Sequence, residues 1–181
     1  EVTKHYGETT TPDEVKGKVT VPEYPENGQP FTVTVDETKI PDGKTSGEFE
    51  VPVTVTYPDG TKDHVTVQVT VTPQPQNDKY EPTAGEITKP YGTATTEDEV
   101  KGKVSVPDFP KEGDQPVITV DPTKVPDGKT SGEFEVPVTV TYPDGTKDHV
   151  VVKVTVGDQP DNVKYDPKAG EVTKHYGETT T

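Results

Sequence analysis

The sequence predicts an all-β protein made of two tandem sandwich domains, and three observations carry that prediction. Apolar residues alternate with polar ones at a period of two, proline-glycine turns separate the alternating runs, and the pattern recurs wholesale at a fixed offset. The clearest run is Gly47–Val71. Phe49, Val51, Val53, Val55 and Tyr57 alternate with Glu48, Glu50, Pro52, Thr54 and Thr56, and Val65, Val67, Val69 and Val71 alternate with His64, Thr66, Gln68 and Thr70. A period of two places each apolar set on one face of a strand. Between the runs, Tyr57-Pro58-Asp59-Gly60 combines a φ-locked proline, a turn-favouring aspartate and a glycine free to take positive φ. That chemistry suits a type I turn closed by a glycine bulge, hence an antiparallel hairpin. Gly132–Val150 copies Gly47–Val65 residue for residue, with Tyr142-Pro143-Asp144-Gly145 at the turn, and Val152, Val154 and Val156 continue the alternation. Each domain is therefore expected to be a sandwich with its hairpin strands central.

The remaining elements follow in chain order. Glu1–Gly7 recurs at Glu86–Gly92 and again at Glu171–Gly177, an offset of 85 residues both times. The first short strand is expected at Val2–Tyr6. Thr11-Pro12-Asp13-Glu14 has a capping threonine, proline at the first helical position and glutamate three residues after the cap, which predicts one helical turn through Lys16; Thr96-Glu97-Asp98-Glu99 repeats it. Gly17 and Gly102 end these turns, and Lys18–Val21 and Lys103–Val106 read as short strands. Loops at Glu23–Pro30 and Asp108–Pro116 differ between the copies. Strands at Phe31–Asp36 and Val117–Asp121 lead through a second Pro-Asp-Gly turn into each hairpin. The expected domain limits are 1–72 and 79–157, joined by proline-rich linkers at 73–78 and 158–163, with 164–181 the extended start of a third repeat. Such linkers stay extended at about 3.1 Å per residue, so successive domains are expected end to end. Lys79–Gly85 belongs to the second domain on this reading. Its copy after Asn162 has no domain to join and is expected to be extended, free to pair with an exposed strand edge of another molecule. The chain starts at Glu1 without a methionine and reads as a fragment.

Charge and composition exclude several functions. The net charge is -15 and all 18 basic residues are lysines, so the field repels nucleic acid and anionic lipid and no arginine fork is available for phosphate. No apolar run approaches the length of a membrane span or a signal-peptide core. With no cysteine, disulfides, thiol catalysis and thiolate metal sites are absent. A hydrophobic fraction of 26% and a mean hydropathy of -0.83 lean toward disorder, but valines in strict alternation point to folded domains with thin cores.

Val55–Asp63 with Val65, Val67, Val69 and Val71, the copies at Val140–Asp148 with Val150, Val152, Val154 and Val156, and the Tyr-Gly-x-x-x-Thr segments Tyr6–Thr11 and Tyr91–Thr96 carry a resemblance. The repeat resembles the Rib and alpha-like tandem repeats of Gram-positive surface proteins. The resemblance implies an immunoglobulin-like β fold, repeated along a wall-anchored adhesin on the bacterial cell surface that projects a distal binding domain.

Sites with chemistry of their own are few. His5, His64, His149 and His175 are two positions repeated, and one histidine per region does not make a zinc site. Asp36, Glu37 and Asp42, or Asp59 and Asp63, have the oxygen ligands calcium takes, although Pro-Asp-Gly geometry already accounts for its aspartate. No hydrolase elbow, zinc-protease motif or phosphate loop is present, Ser46 and Ser131 precede loop glycines, and Glu48 and Glu50 lie on an outward strand face; no enzyme and no cofactor are expected. The asparagines Asn27, Asn77 and Asn162 lie in a loop and two linkers, which disfavours a Lys–Asn isopeptide staple. Tyr24 and Phe109, in the variable loop, are the candidate partner-binding residues, with Tyr80 and Tyr165 also accessible. The expected role is a stalk or spacer whose partners are neighbouring repeats of the same monomeric chain. The alternative is weak, multivalent binding of a host protein or glycan by the repeats themselves.

Overall fold

The structure is a computed structural model that describes residues 1–181. It divides into two units, Glu1–Lys79 and Tyr80–Thr181. Both are all-β and of immunoglobulin-like build, with a few short helical turns.

Unit 1 contains β1 (Val2–Lys4), α1 (Pro12–Lys16), β2 (Thr32–Val35), β3 (Gly47–Thr56) and β4 (Lys62–Val71). The predicted hairpin is β3 against β4, in a register that sets Gly47 opposite Val71 and Thr56 opposite Lys62. Sheet order is β1-β4-β3-β2, with β1 parallel to β4 and β2 antiparallel to β3. Val51, Val53 and Val55 on β3 and Val67, Val69 and Val71 on β4 are buried, as the alternation demands. Pro52 sits in this central strand without breaking it. Its carbonyl accepts from Asp36 N at 3.0 Å, so its backbone polar atoms face the β2 side one residue beyond the end of that strand, where its missing N–H forgoes only the reciprocal bond to Asp36.

The cover over the buried face is built from short pieces. Thr11 caps α1, accepting from Glu14 N at 3.2 Å while Glu14 Oε1 accepts from Thr11 N at 3.0 Å. This places Val15 under the sheet with no exposure, and Lys4 on β1 forms an ion pair with Glu14. Each unit adds a 3₁₀ turn beyond the one helical turn expected, Glu37–Lys39 and Pro122–Lys124, capped by Asp36 and Asp121.

At the end of unit 1, α2 (Gln76–Lys79) occupies much of the segment expected to be extended, and its last residue, expected to open the second domain, belongs to this turn and to unit 1. The Pro75 carbonyl accepts from Asp78 N at 3.0 Å and Lys79 N at 3.1 Å, and Gln74 Nε2 donates to Asp78 at 2.8 Å. A proline keeps its own carbonyl, so four polar residues after it can close one turn. The extended-linker expectation overlooked this.

Unit 2 contains β5 (Thr83–Ala84), β6 (Glu86–Lys89), α3 (Glu97–Lys101), β7 (Val104–Ser105), β8 (Val117–Val120), β9 (Gly132–Thr141) and β10 (Lys147–Val156). The sheet β6-β10-β9-β8 repeats that of unit 1, and a second sheet pairs β5 with β7. The chain then makes α4 (Asp161–Lys164), again closed on a proline carbonyl, that of Pro160. The linker expected at 158–163 is thus partly helical for the same reason. From 165 to 181 no helix or strand forms and the residues are exposed.

Two further expectations are corrected. Lys18–Val21 is not a strand, whereas Val104–Ser105 in the second copy is, because only there does a neighbouring strand, β5, lie beside it. Val65, expected to face inward, is 42% exposed, while its counterpart Val150 is half-buried against the core of unit 2.

Candidate functional site

The candidate residues Tyr24 and Phe109 lie in corresponding loops, and the backbone there is specific. Tyr24 N donates to Val21 O at 3.3 Å across Pro22-Glu23, and Phe109 N donates to Val106 O at 3.3 Å across Pro107-Asp108. Glu23 and Asp108 have φ of 67° and 68°, so both are type II turns with an acidic residue at the position glycine usually fills. A non-glycine residue in this region costs of order 1 kcal/mol or more, which the packing of the next side chain offsets.

That packing is a trio of rings. Tyr24 stacks on Tyr57 at 6.2 Å and meets Phe31 edge-on at 5.0 Å. Phe109 stacks on Tyr142 at 6.1 Å, and the third ring is Tyr80, 4.8 Å from Phe109 and 6.2 Å from Tyr142. The two loop aromatics are therefore half-buried members of a cluster, and Tyr24 also donates its hydroxyl to Gln29 O. Tyr80 is half-buried as well, and of the residues expected to be accessible Tyr165 alone is fully open, 62% exposed.

The tyrosine of each hairpin turn anchors the cluster. Gly60 N donates to Tyr57 O at 2.9 Å, Tyr57 N donates to Thr61 O at 2.9 Å, and Gly60 has φ of 88°, giving the bulged type I turn the sequence predicts. Pro58 and Asp59 form its corner, and Asp59 accepts from Thr61 N at 2.9 Å and Thr61 Oγ1 at 2.6 Å, which holds its carboxyl below the usual range. Pro143, Asp144 and Gly145 repeat the turn, with Gly145 also at 88°. Tyr57 donates to Asp63 at 2.8 Å and Tyr142 to Asp148 at 2.7 Å. The bond to Asp63 raises the Tyr57 hydroxyl's pKa, whereas burial is the first cause of the larger rise at Tyr142.

One contact linking two repeated motifs escaped the sequence reading. Gly7 N donates to Gly43 O at 2.8 Å, and Gly92 N to Gly128 O at 2.8 Å, tying each Tyr-Gly turn to the Pro-Asp-Gly turn that leads into the hairpin. A Cβ on Gly43 would stand 2.0 Å from Glu8 O, and one on Gly128 would stand 2.3 Å from Thr93 O, both at φ of 84°. Both motifs were visible as repeats. Nothing in their spacing pairs them.

The polar candidates are spent locally. His64 and His149 lie 3.2 Å from the hydroxyls of Thr54 and Thr139, Asp36 caps the 3₁₀ turn and Asp42 accepts from Lys44 N at 2.8 Å. No three histidine, aspartate or glutamate side chains converge on a metal position, and no helix is long and apolar enough to cross a membrane.

Comparison with known proteins places this geometry. The Rib domain family matches the chain twice, at residues 1–73 and 76–158. The C protein alpha-antigen of Streptococcus agalactiae serotype Ia is 42% identical over 202 aligned positions, which cover 98% of this chain and 19% of that protein. The chain thus spans about a fifth of that relative's length. Among solved structures, the fibronectin(III)-like modules of Clostridium thermocellum CbhA align at 14% identity with a TM-score of 0.26, over 72% of this chain and 71% of theirs. SGBP-B of Bacteroides ovatus, solved with a mixed-linkage heptasaccharide, aligns at 15% identity with a TM-score of 0.19, over 69% and 37%. Neither superposition adds to the fold described above.

Proposed function

This chain belongs to the Rib domain family, repeats of bacterial surface proteins, and from that premise we propose that it is a stalk segment, spacing a distal binding domain away from a Gram-positive cell wall. The observation that supports this most is the pairing of near-identical hairpins with surfaces that gather no reactive groups. Each unit has its own buried valine core, and side chains that could do chemistry are engaged in turns and caps. A spacer asks of each unit only that it fold and join the next, so copies need not diverge. The charge of -15 keeps such strings soluble and apart. No catalytic role is part of this reading.

The test is small-angle scattering on the chain and on versions with further repeats inserted. The spacer reading expects the maximum dimension to grow by a constant increment per repeat. A compact particle whose dimension barely grows with repeat number would refute it.

A second reading has a specific observation behind it. Corresponding hollows lie beside Tyr24 and Phe109, the latter about 320 Å³ and lined by Val104, Val106, Phe109, Lys111, Gln115 and Ile118. Weak binding of a host protein or glycan at such a repeated hollow would gain avidity with copy number. A binding screen of the chain against host matrix proteins and glycans in which nothing saturates would remove this reading.

A further inference from the structure

We propose that the parallel pairing of the first and last strands of each four-stranded sheet is a mechanical clamp, which lets a unit carry tension along the chain without unfolding. This role deepens the spacer reading and rests on it only for the source of the load.

The clamp follows from strand direction. In unit 2 the chain enters the four-stranded sheet at Glu86 and leaves it after Val156, and β6 lies parallel to β10 with Glu86 opposite Lys153 and Lys89 opposite Val156. The incoming chain is therefore attached at one end of the pair and the outgoing chain at the other. Tension between them slides one strand along its neighbour, and because the bonds of a parallel ladder are evenly spaced, it loads them together. Antiparallel strands would put entry and exit at the same end, and the ladder would open one bond at a time. Unit 1 has the same geometry, β1 running parallel to β4 with Val2 opposite Val69 and Lys4 opposite Val71.

Both ladders are closed where the chain leaves the sheet. Gly157 N donates to Lys89 O and Thr72 N to Lys4 O, each at 2.9 Å. Ile87, Val154 and Val156 are buried, as are Val2, Val69 and Val71, which limits the access of water to the bonds between them. A hydrogen bond in such surroundings is electrostatically stronger than one in water.

The first strand is also held from its far end. Lys89 forms an ion pair with Glu99 on α3, which carries the fully buried Val100, and Lys4 pairs with Glu14 on α1, which carries Val15. Directly beyond the strand, the Gly92 to Gly128 and Gly7 to Gly43 bonds fasten the chain to the turn before the hairpin. A pull on Glu86 or Val2 thus acts on a strand anchored behind its point of loading. It is this barrier, rather than equilibrium stability, that sets the response to force.

Single-molecule pulling on the intact chain decides the matter. The chain has no cysteine, so introduced thiols are its only attachment points. Glu86→Cys with Asp158→Cys pulls on opposite ends of the β6–β10 pair, whereas Pro90→Cys with Asp158→Cys pulls on the same end. All three positions are exposed, and unit 1 has His5 where unit 2 has Pro90. At one pulling speed the first geometry is expected to rupture unit 2 at roughly twice the force of the second or more, since bonds that break together share the load and bonds that break in turn do not. Glu1→Cys and His5→Cys, each combined with Pro73→Cys, repeat the comparison on unit 1 at exposed positions. Scattering on longer arrays reads reach and pulling reads strength, so the spacer reading and the clamp fail separately. Equal rupture forces in the two geometries, or a higher force when both handles sit at the same end, overturn the proposal.

Discussion

Units 1 and 2 carry the same hairpin sequence through the turn, yet they finish it differently. Tyr142 is buried to 2% exposure and bridged to Phe109 and Tyr80, whereas Tyr57 stays half-buried with Phe31 in the third position. Val104 joins a strand pair and the core; Val19 joins neither a strand nor the fully buried set. The difference traces to Tyr80–Gly85, which lies beside β7 and β10 in unit 2, whereas no strand lies beside Lys18–Val21. The sequence period and the folding unit are out of phase, for the residues written at the end of one period complete the unit that follows.

Mutations can break this comparison at graded depth. Val53→Asp and Val138→Asp, each placing a carboxylate where exposure is 1%, are expected to cost about 4 kcal/mol or more and to unfold the unit that carries them. Thr54→Asp, one residue along on the outer face, is expected to cost less than about 1 kcal/mol. Chemical denaturation followed by near-ultraviolet circular dichroism checks both, and equal damage from Val53→Asp and Thr54→Asp would show the facing to be wrong.

Gly43→Ala and Gly128→Ala add a methyl at positive φ within 2.3 Å or less of a backbone oxygen. About 2 to 4 kcal/mol is expected, and equally in both units, because this clamp is independent of the segment that distinguishes them. Tyr80→Ala is expected to remove about 2 kcal/mol from unit 2 alone and to leave unit 1 untouched. Separate unfolding transitions, resolved by nuclear magnetic resonance intensities of each unit, distinguish these outcomes.

The smallest effect is in titration. Tyr57 and Tyr142 both donate to a carboxylate, but desolvation acts foremost at Tyr142. A raised tyrosine pKa supports the fold below the unfolded value near 10 and loses that support as pH climbs through the folded value. Ultraviolet titration of Tyr57→Phe and Tyr142→Phe variants should show the Tyr142 phenol ionising last, and Tyr80→Ala should bring it down toward Tyr57.

Much of this was legible in one dimension. Valine alternation with a Tyr-Pro-Asp-Gly corner fixes the hairpin, its register and its buried face, and the threonine-glutamate spacing fixes α1 and α3, because each signal is local and has one geometric solution. What escaped was non-local or context-dependent. Lys18–Val21 has a strand's composition but needs a partner strand to become one, and Val65 has the parity of a core residue but needs a cover. At the candidate site, Tyr24 and Phe109 were legible as loop aromatics, but not the Glu23 and Asp108 turns that direct them inward onto Tyr57 and Tyr142. The Gly7–Gly43 clamp joins residues far apart in sequence, and no spacing rule announces it.

Residue-resolved hydrogen exchange under native conditions tests most directly whether Tyr80–Gly85 completes the unit after it. The Ser105 amide, in the hydrogen-bonded pair with Thr83, is expected to be protected about tenfold more than that of Thr20, with the gap closing in Tyr80→Ala. Equal protection of the two edges in the wild-type chain would contradict the account.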